Sequence, residues 1–164
     1  MIDRILTLEK LAGFSQRIAQ ESLHDPCTAR DFLWYFATPY TDPDATIRDE
    51  RAALATRATA DMICGGLTVY SPIAAHHPVS LEMRDQDKPN HSEWMDICFT
   101  MLDRCDGIVV STMDGYVQSK GVQLEIKRWA HIHGMCRPLY VSPIRSNQPW
   151  VPHFAWQANK VEGL

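Results

Sequence analysis

Short apolar runs recur along this chain and are separated by segments with helical periodicity. The first run, DFLWYFATPY at residues 31–40, is compact and aromatic and ends at a proline. Three similar runs follow: LTVYSP at 67–72, DGIVVST at 106–112 and RPLYVSP at 137–143. Because these runs lack a polar residue at every second position, they predict strands buried on both faces, as in a parallel sheet.

Helices are predicted between these runs. TDPDATIRDERAALATRATADMICGG favours a helix over 44–64, with Asp42 or Asp44 as its N-terminal cap and two glycines after its end. Helical periodicity also predicts helices over 94–105 and 118–134. The segment IAAHHPVSLEMRDQDKPNHSE is polar, so we expect it to form a long irregular loop of the kind that often carries function.

The alternation of strands and helices predicts an α/β fold. We expect a doubly wound, flavodoxin- or Rossmann-like parallel sheet of four to five strands, built by residues 31–143. Apolar residues at helical spacing predict an additional amphipathic helix over 1–25, outside that core. The last residues, 144–164, contain two prolines and two tryptophans and are predicted to form an irregular tail.

Composition restricts the possible partners. A chain of 164 residues predicts one domain, and its net charge of −4 without a dense Lys/Arg run argues against nucleic-acid binding. No apolar run approaches the roughly 20 residues that span a membrane, and the first residues do not have the pattern of a signal peptide. The five cysteines are widely spaced, as is typical of reduced thiols. We therefore expect a cytoplasmic protein that binds neither nucleic acid nor membrane.

The candidate chemistry lies where the predicted strands end. In doubly wound sheets, ligands bind at the carboxyl ends of the strands. After the third predicted strand, MDGYVQSKG leads into a helix that contains Glu125. Gly121 lets the backbone approach a ligand, and a carboxylate one turn into the helix would point toward the crevice. The alternative is that Glu125 pairs with Lys127 or Arg128 on a solvated helix face.

The chain resembles the nucleoside 2-deoxyribosyltransferase-like superfamily in five ordered pieces: YFATPYTDPD, SPI–HHP, W–D, LDRCDGIVV and DGYVQSKGVQLEI–A–G–P–YV. The match covers roughly residues 32–142. More narrowly, it resembles a branch of short phage-associated and bacterial proteins labelled as a domain of unknown function. The resemblance implies cleavage of the N-glycosidic bond of a nucleoside or a nucleoside 5′-monophosphate. The glycosyl group would then pass to another base or to water.

The resemblance also implies roles for individual residues. Glu125 matches the helix glutamate that attacks the anomeric carbon, and Tyr35 matches a first-strand tyrosine whose hydroxyl steadies it. Ser119 matches a polar residue that touches the sugar or its 5′ substituent. Asp96 or Asp103 would match an aspartate that contacts the leaving base and shuttles its proton.

General chemistry is compatible with these roles. An oxocarbenium-like transition state is stabilised by an anionic nucleophile, and a poor leaving group needs a proton from a second group. The predicted crevice loops add four candidate substrate-binding residues, Thr38, Tyr40, His77 and Asp114, of which Tyr40 could stack on a flat base.

The small hydroxyl at Ser119, where the family's monophosphate hydrolases also carry one, favours a 5′-phosphorylated ligand. Arg48 or Arg51 either holds that phosphate or is solvated. His76 and His77 are adjacent, but no further ligand is spaced to complete a zinc site, so neither a metal nor a cofactor is predicted.

Three functions remain open. The first is an enzyme, either a nucleotide N-glycosidase or a 2-deoxyribosyltransferase, acting through Glu125. The second is a nucleotide-binding sensor on the same fold that does no chemistry, and the third is a protein whose site has decayed. We also expect a homo-oligomer, most simply a dimer, because relatives complete their pockets with a neighbour's residues and the apolar stripe of the N-terminal helix needs a partner. The alternative is that this helix folds back on its own sheet.

Overall fold

The structure is a computed structural model that describes residues 32–133 and, for the backbone alone, 139–142. Strands and helices alternate along the described chain. In order they are β1 (Leu33–Ala37), α1 (Ala45–Cys64), β2 (Thr68–Tyr70), α2 (Pro72–Glu82), a 3-10 turn (Asp85–Asp87), α3 (His91–Leu102), β3 (Gly107–Ser111), α4 (Lys120–His133) and β4 (Leu139–Ser142). The helix predicted over 1–25 and the tail predicted over 144–164 lie outside the described residues.

The strands form one parallel sheet in the order β2-β1-β3-β4. Tyr35 in β1 lies opposite Tyr70 on one side and Ile108 on the other. The chain runs from β1 out to β2 and then returns to the other side of β1 as β3, so the strand order reverses between β1 and β3. Loops that leave two such strands in opposite directions open a crevice at their carboxyl ends. The predicted α/β class with a parallel sheet is confirmed.

Both faces of β1 and β3 are covered. On one face, a core cluster joins Tyr35, Ala37, Ile108 and Val110 to side chains of α3 and α4 that include Leu102, Val122 and Trp129. On the other face, Trp34, Phe36 and Val109 pack against Ala58 and Met62 of α1. The apolar runs were unbroken because successive side chains of these strands enter two different cores.

The contact between β1 and β3 depends on a residue without a side chain. Gly107 is the register partner of Trp34, and a Cβ at position 107 would lie 2.4 Å from Trp34 Cζ3. The strand start is fixed by Asp106, whose Oδ2 accepts a hydrogen bond from Leu33 N at 3.0 Å while its own N–H donates to Leu33 O at 2.8 Å. A glycine in a strand often marks such a close approach.

The segment predicted as a long loop contains a helix instead, and that prediction was wrong. Ser71 accepts a hydrogen bond from Ala74 N, Pro72 occupies the first turn, and α2 continues past an internal proline, Pro78, to Glu82. A proline in the first turn costs no hydrogen bond, because that N–H has no partner within a helix. The helical part, PIAAHHPVSLE, contains two prolines, and most of the polar residues of the segment come after it.

The helix predicted over 94–105 begins earlier than expected. Asn90 accepts hydrogen bonds from Ser92 N and Glu93 N, while Glu93 Oε2 accepts from Asn90 N, which completes a capping box. Helix α3 therefore begins at His91. For α1, the cap is Asp44, which accepts from Thr46 N at 2.8 Å.

Among residues 32–133 and 139–142, no helix combines the length and the apolar character that a bilayer-spanning segment requires.

Candidate functional site

A cavity of about 670 Å³ lies where β1, β2 and β3 end. This volume is typical of small-molecule sites. Its walls come from the loop after β1, from α2, from α3 and from the start of α4. The lining residues are Thr38, Tyr40, Thr41, Pro72, Ile73, His76, His77, Ser80, His91, Trp94, Met95, Cys98, Gln118, Ser119, Lys120, Gly121, Val122 and Glu125. The crevice thus lies at the edge of the sheet that the parallel topology favours.

Glu125 is turned inward and held by a strand residue. Its side chain lines the cavity, the residue is 6% exposed, and Tyr35 Oη donates a 2.6 Å hydrogen bond to its Oε1. The pairing with Lys127 or Arg128 that the sequence left open is not formed, because Arg128 binds Asp103 and Lys127 is exposed on a different face of α4. The structure therefore brings together the two residues for which the resemblance implied contact.

The surroundings of Glu125 favour its protonated form. Burial raises the pKa of Glu125 to about 7, and the hydrogen bond from Tyr35 opposes part of that rise. Burial and the neighbouring Glu125 carboxylate raise the pKa of Tyr35 well above its usual value, so its hydroxyl remains a donor. A carboxyl group with a pKa near neutrality changes charge easily at physiological pH, as catalytic carboxyl groups often do.

A thiol completes this buried group. Cys98 in α3 lines the cavity and interacts with both Tyr35 and Glu125, and burial raises the pKa of its thiol to about 11. Cys98 therefore stays neutral at physiological pH. It contributes a small, weakly polar wall beside the carboxylate and not a nucleophile, since thiolate formation is required for nucleophilic attack.

Two histidines of α2 are each bound to a tyrosine. His76 Nε2 lies 3.1 Å from Tyr70 Oη, and His77 Nδ1 lies 3.0 Å from Tyr40 Oη. The His76 ring also packs on the Trp94 ring with centroids 5.3 Å apart. Burial lowers the pKa of His76 and raises the pKa of Tyr70 to about 12. The predicted substrate-binding residues Tyr40 and His77 thus lie in one wall of the cavity.

The start of α4 also lines the cavity. Ser119 Oγ accepts a hydrogen bond from Val122 N at 3.4 Å, so this serine caps the helix as well as lining the cavity. Lys120 is exposed at the cavity edge. Gly121 leaves room: a Cβ there would meet Met95 Sδ only at 3.7 Å, an ordinary contact distance. The protein itself does not require a glycine at 121, whereas a ligand approaching this backbone would benefit from one.

Among the predicted substrate-binding residues, Thr38 has a buried hydroxyl without a hydrogen-bond partner in the described part of the chain. It is 6% exposed, it lines the cavity, and its Oγ1 has no hydrogen-bond partner among the described residues. A buried hydroxyl without a partner costs roughly 1–3 kcal/mol. A polar ligand atom in the cavity would remove that cost.

The structure does not bring the predicted aspartates into the cavity. Asp96 is exposed on α3, and Asp103 accepts two hydrogen bonds from Arg128, at 2.9 and 2.5 Å, which lower the pKa of Asp103. Asp114 is exposed in the loop after β3. None of the three is among the lining residues, because Asp96 and Asp103 leave α3 on the side away from Trp94 and Cys98.

The two arginines considered for phosphate binding serve the loop after β1. Arg48 donates to Asp42 O and Pro43 O, and Arg51 donates to Tyr40 O and Thr41 O and pairs with Asp42. Neither lines the cavity. Within the described part of the chain, no three His, Cys, Asp or Glu side chains cluster closely enough to hold a metal ion.

Sequence reasoning did not assign a site role to His76, His91, Cys98 or Lys120, all of which line the cavity. The capping box at Asn90 was the available signal for α3. A helix beginning at His91 places positions 91, 94, 95 and 98 on one face by helical spacing. The helix at 72–82 had to be recognised before His76 could be placed, and its two prolines, Pro72 and Pro78, argued against a helix in the sequence.

A protein-family model described as "Domain of unknown function (DUF1937)" matches residues 33–137, which is more than half of the chain. The chain belongs to the DUF1937 family. The DUF1937 match begins at β1 and extends past α4, so every cavity residue named above lies within it. A search of curated proteins gave no match.

Proposed function

We propose that this protein binds a nucleoside or nucleoside 5′-monophosphate and cleaves or transfers its N-glycosidic bond through Glu125. The observation that carries the proposal is the buried carboxylate of Glu125, held by Tyr35 Oη at 2.6 Å in the wall of a cavity at the strand ends. The resemblance to the nucleoside 2-deoxyribosyltransferase-like superfamily supports this assignment. The strand order and the helices on both faces likewise support a doubly wound, flavodoxin-like sheet.

Glu125 would act as the nucleophile. In its ionised form the carboxylate attacks the anomeric carbon, the bond to the base nitrogen breaks, and a glycosyl ester forms. Water or a second base then attacks the same carbon and releases the carboxylate. The hydrogen bond from Tyr35 orients Oε1 and stabilises the ionised form against burial.

The remaining walls suit a flat polar ligand. Trp94, His76 and Tyr40 offer aromatic surface to a base, and Thr38 Oγ1 offers an uncommitted hydroxyl. Lys120, at the start of α4, provides a cation for a 5′-phosphate in place of Arg48 or Arg51. Among the described lining residues, Glu125 is the sole carboxylate, so an anionic substituent meets little repulsion elsewhere.

A nucleotide-binding module without catalysis is the second candidate. The raised pKa of Glu125, about 7, favours it, because the carboxyl group is partly protonated near neutral pH and its protonated form binds a ligand by hydrogen bonding and does not attack. In that case the cavity would bind nucleotide and release no base.

The deciding experiment incubates the protein with a panel of nucleosides, deoxynucleosides and their 5′-monophosphates and measures free base by chromatography. We expect release of base and, in acid-quenched samples, a mass increase of one glycosyl group on Glu125. Glu125→Gln should reduce release by at least about a thousandfold. The matched control is Glu82→Gln, which changes an exposed glutamate at the end of α2 that does not line the cavity. Binding without release would favour the module, and unchanged release by Glu125→Gln would exclude the assigned nucleophile.

A further inference from the structure

Cleavage of an N-glycosidic bond to a purine or pyrimidine requires a proton for the departing nitrogen. The two aspartates suggested by the resemblance lie outside the cavity, as Asp96 is exposed and Asp103 is bound to Arg128. The proton donor must therefore be sought among the residues that line the cavity. Besides Glu125, the side chains there that can exchange a proton near neutral pH are three histidines.

The three histidines differ in whether a ring nitrogen is free to contact a ligand. Both ring nitrogens of His77 face protein groups, since Nδ1 lies 3.0 Å from Tyr40 Oη and Nε2 lies 3.7 Å from Asp49 Oδ1. His91 is exposed at the first position of α3. His76 is half-buried, and only its Nε2 has a partner among the described residues, Tyr70 Oη at 3.1 Å. Its Nδ1 is therefore available to a ligand.

The orientation of the His76 ring is fixed from two sides. Tyr70 holds Nε2 from β2, and the Trp94 ring packs on the imidazole from α3 with centroids 5.3 Å apart and planes inclined by 33°. Trp94 and His76 both line the cavity and contact each other, so a base bound against Trp94 would also lie close to the imidazole. A ring held in this way is suited to directional proton transfer.

We infer that His76, acting through Nδ1, is the general acid that protonates the leaving base; this inference rests on the proposed function. In the first step, Glu125 attacks the anomeric carbon and the C–N bonding electrons move to the base nitrogen. The Nδ1 proton of the His76 imidazolium goes to that nitrogen. Neutral His76 then keeps a proton on Nε2, which it donates to Tyr70 Oη.

The second step restores both groups. Water attacks the anomeric carbon, the ester bond to Glu125 breaks, and the carboxylate leaves with the bonding electrons. The proton lost by the water passes to His76 Nδ1, which regenerates the imidazolium. The sum of the two steps consumes one nucleoside and one water and yields free base and free sugar.

Glu125 and His76 together give the activity a bell-shaped dependence on pH. Burial lowers the pKa of His76 and raises that of Glu125 to about 7, so the reactive form, with one proton on His76 and none on Glu125, belongs to the singly protonated state of the pair. Activity falls at low pH as Glu125 and His76 are both protonated, and it falls above about pH 7 as both protons are lost. The other titratable groups around the cavity and next to Glu125 or His76 are Tyr35, Tyr40, Tyr70, His77, His91, Cys98 and Lys120.

The test compares wild type and His76→Gln on two substrates with the same sugar. One is a natural nucleoside from the panel above, and the other is the 4-nitrophenyl glycoside, whose phenolate leaves without a proton. His76→Gln should lose about a hundredfold or more on the nucleoside and at most a few-fold on the nitrophenyl glycoside. Its pH profile on the nucleoside should rise through the Glu125 titration and then stay level, without the alkaline decline of the wild type.

The controls separate this inference from the proposed function. His131→Gln removes an exposed histidine of α4 that does not line the cavity, and it should match the wild type on both substrates. Equal losses on the two substrates, or an alkaline decline that persists in His76→Gln, would overturn the role of His76 while leaving Glu125 in place. Should His76→Gln not fold, the wild type alone decides: its alkaline decline must be present for the nucleoside and absent for the nitrophenyl glycoside. A wild type that releases no base from any substrate overturns both proposals.

Discussion

Tyr35 in β1 and Glu125 in α4, 90 positions apart in the chain, share a buried 2.6 Å hydrogen bond from Oη to Oε1. Tyr35 is fully buried in the core cluster that joins the sheet to α3 and α4. The donor is therefore fixed by packing, and the carboxylate is oriented by a group that cannot move independently of the sheet. Such support from a rigid element is what a site requires to hold a side chain in one geometry.

The first prediction concerns the titration of Glu125. Carbon-13 NMR of the glutamate carboxyl groups should show one midpoint near pH 7, because burial outweighs the hydrogen bond from Tyr35. Tyr35→Phe should move that midpoint upward by about one unit, since removal of the donor destabilises the ionised form. The control, Tyr116→Phe, removes a hydroxyl without a hydrogen bond in the described chain and should leave the midpoint unchanged. A midpoint in the ordinary range of glutamates would contradict the buried site.

The second prediction links the same group to stability. In the folded protein the pKa of Glu125 is about 7, above the 4.5 of an ordinary glutamate, so the folded state binds more protons than the unfolded state between these values. The free energy of unfolding should then fall as the pH rises from about 4.5 to 7, by about 3 kcal/mol from this residue. Glu125→Gln should lose that dependence and become more stable than the wild type at pH 8.

Urea unfolding at pH 5, 6 and 8 measures this difference, with Glu82→Gln as the exposed control. Other groups titrate in both proteins, so the quantity to compare is the stability of Glu125→Gln minus that of the wild type at each pH. A difference that stays constant from pH 5 to 8 would show that Glu125 titrates normally.

The third prediction distinguishes the candidate aspartates. Asp103 and Arg128 form a partly exposed ion pair, with side chains 28% and 39% exposed, so Asp103→Asn should cost only about 0.5–1 kcal/mol. Asp103→Asn and Asp96→Asn should both release base at rates within about twofold of the wild type, because neither carboxylate lines the cavity. Chromatographic rate measurements on the same nucleoside check this, and a hundredfold loss in either variant would assign that aspartate to proton transfer.

The fourth prediction uses two glycines. Gly107→Ala should destabilise the fold by about 1–3 kcal/mol, because its Cβ would lie 2.4 Å from Trp34 Cζ3 in the paired strand. Gly121→Ala should leave thermal stability unchanged or slightly raised, since its Cβ would meet only ordinary contacts on a helix. The same change narrows the cavity and should weaken nucleotide binding by calorimetry. Equal destabilisation in the two variants would contradict the packing of β1 against β3.

Much of the architecture could be predicted from the sequence, for a physical reason that β3 illustrates. Ile108, Val109 and Val110 are all buried, and they enter cores on opposite faces of the sheet. A strand covered on both sides favours apolar residues at successive positions, so the local pattern alone reveals it. The same holds for α1, where a capping aspartate and a glycine end lie within the segment itself.

The sequence by itself thus determined the parallel α/β class, its four strands, the helices around 44–64, 94–105 and 118–134, and a glutamate at the strand ends as the candidate group. Only the tertiary structure decided that Glu125 faces inward, that Asp103 is bound by Arg128, and that His76 lies against Trp94. Helices and buried strands follow from neighbours a few positions away, whereas the environment of a side chain depends on residues far along the chain. For Glu125 the partner is 90 positions distant, and no local pattern records which side of its helix that partner covers.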